Sequence, residues 1–331
     1  MGAGHRTAGL YRQCMKTTRK LKAPQPVKAR PPELTSGMTA IAAFKTIAAT
    51  LLTQIQADRH GVIEGNDPEY LHQMRVAVRR LRAICAAYAK WLPDALLRPR
   101  IAELKWLARA LGPARDADVF VSEIWPSLRA ALNANPLLTE LDAQWATRQR
   151  ATAARMRRAL AARRYQRFIR GFKRWLTDDT GRADASKQQR AALDDSARDF
   201  TCRVLERRDS KVRNHGHTLK RLDDAQLHAL RIQIKKLRYV ADSFGALFDT
   251  AALHDVLAHL SNLQDVLGAI NDIKVAEQHL AAALARRHGY AVRELRVAFA
   301  AWRKSRTAVL RPNLCAAWRE YRHAKKMWKS R

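Results

Sequence analysis

Between Leu71 and Tyr88 the apolar residues Leu71, Met74, Val78, Leu81, Cys85 and Tyr88 recur at alternating steps of three and four. At about 100° per residue this spacing collects them on one face of a helix, the face that packs into a core. His72, Arg75, Arg79 and Arg82 repeat the same steps beside that stripe, within an arc of roughly 80°. The pattern returns 156 residues later. There Leu227, Leu230, Ile234, Leu237, Ala241 and Phe244 form the apolar stripe, and His228, Arg231, Lys235 and Arg238 the charged arc. The offset also holds downstream: Leu111-Gly112 matches Leu267-Gly268, Asp116 matches Asp272, and Tyr165 matches Tyr321. A register kept over nearly a hundred residues without a gap marks an internal duplication.

The rest of the chain reads as helix. Strand-like alternation is absent, and Ala, Leu and Arg, all strong helix formers, dominate. A first helix is expected over 39–59, broken by Gly61 and Gly65. Asp67-Pro68 then supplies an N-cap and a proline at the first helical position. The first motif helix ends before Pro93, a third helix runs to Leu111 and stops at Gly112-Pro113, a fourth runs from Ala114 to about Pro126, and a long fifth covers 137–176. Residues 177–190 are polar and mostly small and mark the boundary between the halves. In the second half, a helix over 191–207 leads through a polar loop at 209–222. Asp223 and Gln226 form a capping box, the second motif helix reaches about Phe248, helices cover 252–267 and 269–287, and a last stretch passes Pro312 to Trp328. The fold class is therefore all-α, with two antiparallel helical bundles at 38–176 and 191–329 joined by the linker. Residues 1–37 precede them as a flexible basic tail; 1–32 hold eight Lys or Arg and no acid.

Charge changes the picture from a plain helical protein to a binding one. Sixty-two Lys plus Arg against thirty Asp plus Glu give a formal net charge of +32. That charge repels itself unless an anion shares the space, so the expected partner is nucleic acid, an anionic membrane face or a polymer of phosphate. Each charged arc is a ladder with a rung about every 5 Å. Solvated helix faces relieve such repulsion with interleaved Glu, yet 70–93 contains no acid. His72 and His228 sit in the first turns, where free N–H groups favour an anion; a packed histidine is the alternative. Arg80 and Lys236 point about 120° away from the arcs, so their role stays open between a second binding edge and a solvent face. Lys105, Arg109 and Arg115 add charge in the first half only, since their counterparts are Ser261, Asp265 and Asn271. Residues 144–176 add eleven Lys or Arg without an acid. Asp116 and Asp272 are expected to orient neighbouring arginines or cap a helix.

Other chemistry finds little footing. Cys14, Cys85, Cys202 and Cys315 are scattered, with no metal-type spacing, which suits reduced thiols in the cytosol. The most apolar stretch, 38–52, carries Lys45 and is too short to span a membrane. Gly4 to Gly9 has the glycine spacing of a phosphate-binding loop but continues Leu10-Tyr11 where Lys-Ser or Lys-Thr is required. His254-Asp255 has no matched His and Asp set. No enzyme, metal or cofactor is expected.

The run H-x-x-R-x-x-x-R-R-L-R at 72–82, its echo H-x-x-R-x-x-x-K-K-L-R at 228–238, and L-G-x-x-R-D-x-D-V at 111–119 resemble the CHAD family, the conserved histidine α-helical domain. The resemblance covers about 38–329. It implies two four-helix bundles related by pseudo-twofold symmetry around a basic central groove or pore, binding of inorganic polyphosphate, and association with cytoplasmic polyphosphate granules. Carried over by position, the polyphosphate-binding set is His72, Arg75, Arg79, Arg80, Arg82, Lys105, Arg109, Arg115, His228, Arg231, Lys235, Lys236 and Arg238. A nucleic-acid-binding helical protein is the alternative: nucleic acid shares the charge requirement and adds base stacking.

Overall fold

The computed structural model describes residues 25–27, 31–65, 67–132, 135–178 and 184–329. Every regular element among them is helical: α1 (Ala40–Glu64), α2 (Pro68–Tyr88), α3 (Asp94–Val119), a π-helical turn (Phe120–Ile124), α4 (Trp125–Ala131), α5 (Leu138–Ala161), α6 (Arg163–Thr177), α7 (Lys187–Asp194), α8 (Ala197–His215), α9 (Asp224–Ser243), α10 (Thr250–Leu284) and α11 (Tyr290–His323). The class is all-α. The two motif helices, α2 and α9, begin as their local sequences dictate. The Asp67 side chain accepts from Glu69 N with Pro68 in the first turn, and Asp223 and Gln226 form a reciprocal capping box.

Several helix ends differ from expectation, each for a packing reason. α3 does not stop at Gly112-Pro113 but continues to Val119. A proline inside a helix removes one backbone bond, and burial of Leu111, Ala114 and Ala117 along one face outweighs that loss. The chain widens into the π turn just before Pro126, where Trp125 N–H reaches back to Phe120 O. The extra residue in the turn relieves the clash of a proline ring with the preceding turn. Helices expected at 252–267 and 269–287 are one helix, α10, running straight through Gly268, and α11 likewise passes Pro312 unbroken. α1 runs past Gly61, whose missing side chain admits the Tyr70 ring. α8 begins and ends later than the expected 191–207, after the separate short helix α7. The expected long helix over 137–176 instead breaks at Ala162, which is extended. Arg59 Nε donates to Leu160 O across the bundle and satisfies a carbonyl at that break.

The two halves share their cores. The larger buried cluster joins Phe44, Met74, Leu81 and Tyr88 of the first half to Phe200, Leu230, Leu237 and Phe244 of the second. A smaller one joins Phe120, Trp125 and Trp145 to Leu280, Leu295 and Phe299. Ala40 N donates to Asp195 O at 2.8 Å, and Ala197 N donates to Met38 O at 2.9 Å. This is the reciprocal exchange of an antiparallel bridge between Thr39 and Ser196, the residues just before α1 and α8. The matched rings of Tyr88 and Phe244 stack near the same contact, 6.3 Å apart.

α1 is long and apolar enough to cross a membrane by length and composition, beyond what the stretch 38–52 alone suggests. Here its apolar face, with Phe44, Ile47, Leu51, Leu52 and Ile55, is buried in the larger cluster. Of the N-terminal tail, Val27 docks on α1: its N–H donates to Asp58 Oδ1 at 2.8 Å and its carbonyl accepts from Gln54 at 3.0 Å. Asp58 has its second carboxylate oxygen buried without a partner, and burial pushes its pKa up to about 6. Residues 1–24 and 28–30 of that tail, and 179–183 of the linker, lie outside the described residues.

Candidate anion-binding cleft

α2 and α9 pack against each other across the junction of the halves, and the first rungs of their charged arcs open into one cavity of about 870 Å³, while Arg82, Lys235 and Arg238 lie outside its wall. Five helices wall it. α2 supplies His72, Arg75 and Arg79, α3 supplies Arg115 and Asp116, and α5 supplies Arg148. From the second half, α9 supplies His228 and Arg231, and α10 supplies Asn271, Asp272, Lys274 and His279. Six permanent cations thus face two carboxylates.

Arg75 and Arg231 each lie beside an acid one helix away. Arg75, only 9% exposed, donates from Nη2 to Asp116 Oδ1 at 3.1 Å. Arg231 lies beside Asp272, which attracts it, and has its Nε buried without a partner. Asp116 thus orients Arg75, and Asp272 attracts Arg231. Of the recurring glycines, Gly112 makes room for its arginine and Gly268 does not need to. A side-chain carbon at Gly112 would lie 3.2 Å from Arg75 Nη1, and one at Gly268 would lie 3.9 Å from Arg231 Nη2.

Burial and mutual repulsion leave the cations strained as charges. Arg75 is pushed down to about 10, first by burial and then by Arg79, with Asp116 opposing. Lys235 projects among Arg231, Arg79 and Arg75. Burial, followed by those three charges, lowers it from the usual lysine range to about 7. His72 falls below its ordinary value through burial and then the Arg115 guanidinium. His228, exposed, pairs its Nδ1 with Asn271 Oδ1 at 3.1 Å, and Asn271 stands where the first half has Arg115. His279 is wedged against Phe120, with ring centroids 4.3 Å apart. Burial drives it to about 4, so it forms an uncharged floor to the cleft.

Not every residue of the expected set joins this cavity. Arg80 turns across the α2–α9 contact to form an ion pair with Asp242. Lys236 lies beside Arg82 and the α8 residues Arg208 and Lys211, whose charges together with burial lower its pKa. Arg82 in turn neighbours Arg79, so these charges run as a trail from the cleft toward α8. Arg238 is half-buried and Lys105 and Arg109 are exposed, all three outside the cavity wall. Sequence reasoning missed Arg148, Lys274, His279, Arg208 and Lys211. Arg148 was signalled by the acid-free run 144–176. The others have no matched counterpart, and a search for repeated residues does not find unrepeated ones.

Among the described residues no cluster of His, Cys, Asp or Glu is placed to hold a metal ion. What the cleft offers is a row of guanidinium and ammonium groups with forked and single donors, a chemistry that recognises phosphate oxygens.

Residues 46–281 match the family model of the CHAD domain. The crystal structure of the CHAD domain from the plant Ricinus communis is similar, with a TM-score of 0.74 and 28% identity over 92% of this chain and 99% of that one. PptA from Streptomyces chartreusis shares the fold, with a TM-score of 0.62 and 13% identity over 87% of this chain and 99% of that one. No curated protein sequence matches the chain.

Proposed function

The chain belongs to the CHAD-domain family, and we propose that it binds inorganic polyphosphate in the cleft between its halves without turning it over. One observation carries the reading: six permanent cations from five helices converge on one cavity that holds two carboxylates. Without an anion these charges repel one another across a partly buried space. A phosphate chain replaces that repulsion with charge-assisted hydrogen bonds at every rung. Association with polyphosphate granules in the cytosol follows from the same contacts. Among the described residues the cleft wall contains no Phe, Tyr or Trp; nucleic-acid recognition would use such rings to stack bases, so a bare phosphate chain is the better fit.

The experiment is a polyphosphate titration at two salt concentrations with single-stranded RNA as competitor. It compares the native chain with Arg75→Ala/Arg79→Ala/Arg231→Ala/Lys235→Ala, after circular dichroism has established that the variant is folded. Six phosphate contacts predict a fall in affinity of roughly two to three orders of magnitude between 50 and 200 mM salt. RNA should displace the polymer poorly, and the folded variant should lose binding. Equal displacement by RNA, or a variant that binds like the native chain, would reject the cleft as a polyphosphate site.

A further inference from the structure

We infer that the second half carries a separate site for a short, triphosphate-bearing anion, in the cavity between residues 216–222 and the C-terminal part of α11. The cavity, about 460 Å³, is ringed by Lys220, Arg221, Arg319 and Arg322, with His217 and His323 at its rim. Among the described residues no carboxylate lines it. Asp209 and Glu206 of α8 and Glu320 of α11 are engaged elsewhere. Asp209 accepts from Tyr321 and Arg213 and pairs with Lys326. Glu206 holds Lys326 and the Trp328 indole N–H, and Glu320 accepts from Asn262.

The walls are built. The backbone of Gly216 lies flat on the Trp318 ring, where any side-chain carbon would come within 2.2 Å of it. The loop can therefore close over the indole only with glycine at that position. Leu219–Arg221 form a single 3-10 turn, and Arg311 Nη1 donates to Leu222 O at 3.4 Å, tying the loop to α11. Arg213 Nη1 donates to Arg322 O at 3.2 Å and fixes the other wall to α8. The result is an apolar floor of Leu219, Cys315 and Trp318 beneath a ring of cations.

The duplicated architecture does not require this pocket. At the 156-residue offset, the first half has Ala162 for Trp318, Glu64 for Lys220 and Gln166 for Arg322. Four uncompensated permanent cations match the three to four negative charges of a triphosphate better than one phosphate group. That group could arrive as a free oligophosphate or as the tail of a nucleotide.

The test uses the full chain carrying Arg75→Ala/Arg79→Ala/Arg231→Ala/Lys235→Ala, the folded variant expected to lose binding in the cleft, titrated calorimetrically with tripolyphosphate and separately with ATP. One-to-one binding should persist in this background and weaken tenfold or more on adding Arg319→Ala/Arg322→Ala, both exposed side chains. Bound ligand should also slow alkylation of half-buried Cys315, followed by peptide mass spectrometry against Cys202, and should not do so once Arg319 and Arg322 are also replaced. Tripolyphosphate acting alone identifies a free oligophosphate; ATP acting as well or better identifies a nucleotide. Either supports the site. Binding that ignores the Arg319 and Arg322 substitutions, or ligands that leave Cys315 alkylation unchanged, would overturn it.

Discussion

Arg79 on α2 and Lys235 on α9 occupy matched positions, Arg79 in the cavity wall and Lys235 buried beside it among Arg231, Arg79 and Arg75, yet they are different instruments. An arginine remains charged under any condition the protein meets, whereas the lysine, buried against three guanidiniums, sits near pKa 7. The contrast extends outward. Where the first half places Arg115 beside His72, the second places Asn271 beside His228. Where Gly112 is in tight contact with Arg75, Gly268 leaves Arg231 room. Duplication supplied two equivalent helices, and divergence placed a fixed charge at Arg79 and a titrating one at the matched Lys235.

The largest effect should come from the matched tyrosines, which test whether the halves are equally bound together. Tyr321 donates to the carboxylate of Asp209, a residue with no exposure, while Tyr165 donates to the Ile55 carbonyl at 3.3 Å. Hydrogen bonds to a buried charge are worth more than neutral ones. Tyr321→Phe should therefore cost about 2–3 kcal/mol in denaturant unfolding, and Tyr165→Phe about 1 kcal/mol or less. Equal losses would mean that the Asp209 network is no stronger than an ordinary bond.

Next comes the titrating lysine. A polyanion favours charged Lys235 and raises its pKa above the free value of about 7. Binding then takes up a proton wherever the free lysine is neutral. Affinity should fall roughly tenfold between pH 6 and 8, and Lys235→Arg should flatten that profile. The free protein should show the opposite trend. The folded-state pKa lies below the unfolded value of 10.5, so the unfolded chain binds more protons between pH 7 and 10.5. Lys235 therefore makes stability rise with pH across that window, and Lys235→Met should remove this contribution. An unchanged pH profile in the Lys235→Arg chain would assign the titration to another group.

The smallest effect sharpens the comparison of the two glycines. Both lie within helices, where replacing Gly by Ala is worth roughly 0.5–1 kcal/mol. Gly268→Ala, with ordinary contact distance to Arg231, should gain most of that in thermal unfolding without touching binding. Gly112→Ala presses on Arg75 and should gain less while weakening polyphosphate binding a few-fold. Identical behaviour of the two would show that Arg75 is free to move aside.

The amino-acid pattern by itself determined the all-α class, the duplication, the caps of both motif helices and the core stripe of each. These depend on neighbours within one or two turns, and periodicity reports them directly. It also marked Arg75, Arg79, Arg231 and Lys235, because the two copies agree there. Only the tertiary structure decided where helices end when burial outweighs a proline or glycine, as at Pro113, Gly268 and Pro312, and where one breaks without either, as at Ala162. Only it separated Arg80, which leans to Asp242, from Arg79 one residue away, and gathered Arg148 and Lys274 into the cleft. Helix rotation and crossing fix those meetings, and they arise from the packing of the whole molecule. The same holds for Lys235: its residue type sets a positive charge, but desolvation and three converging guanidiniums, brought by α2 and α9 from opposite ends of the chain, decide at what pH that charge exists.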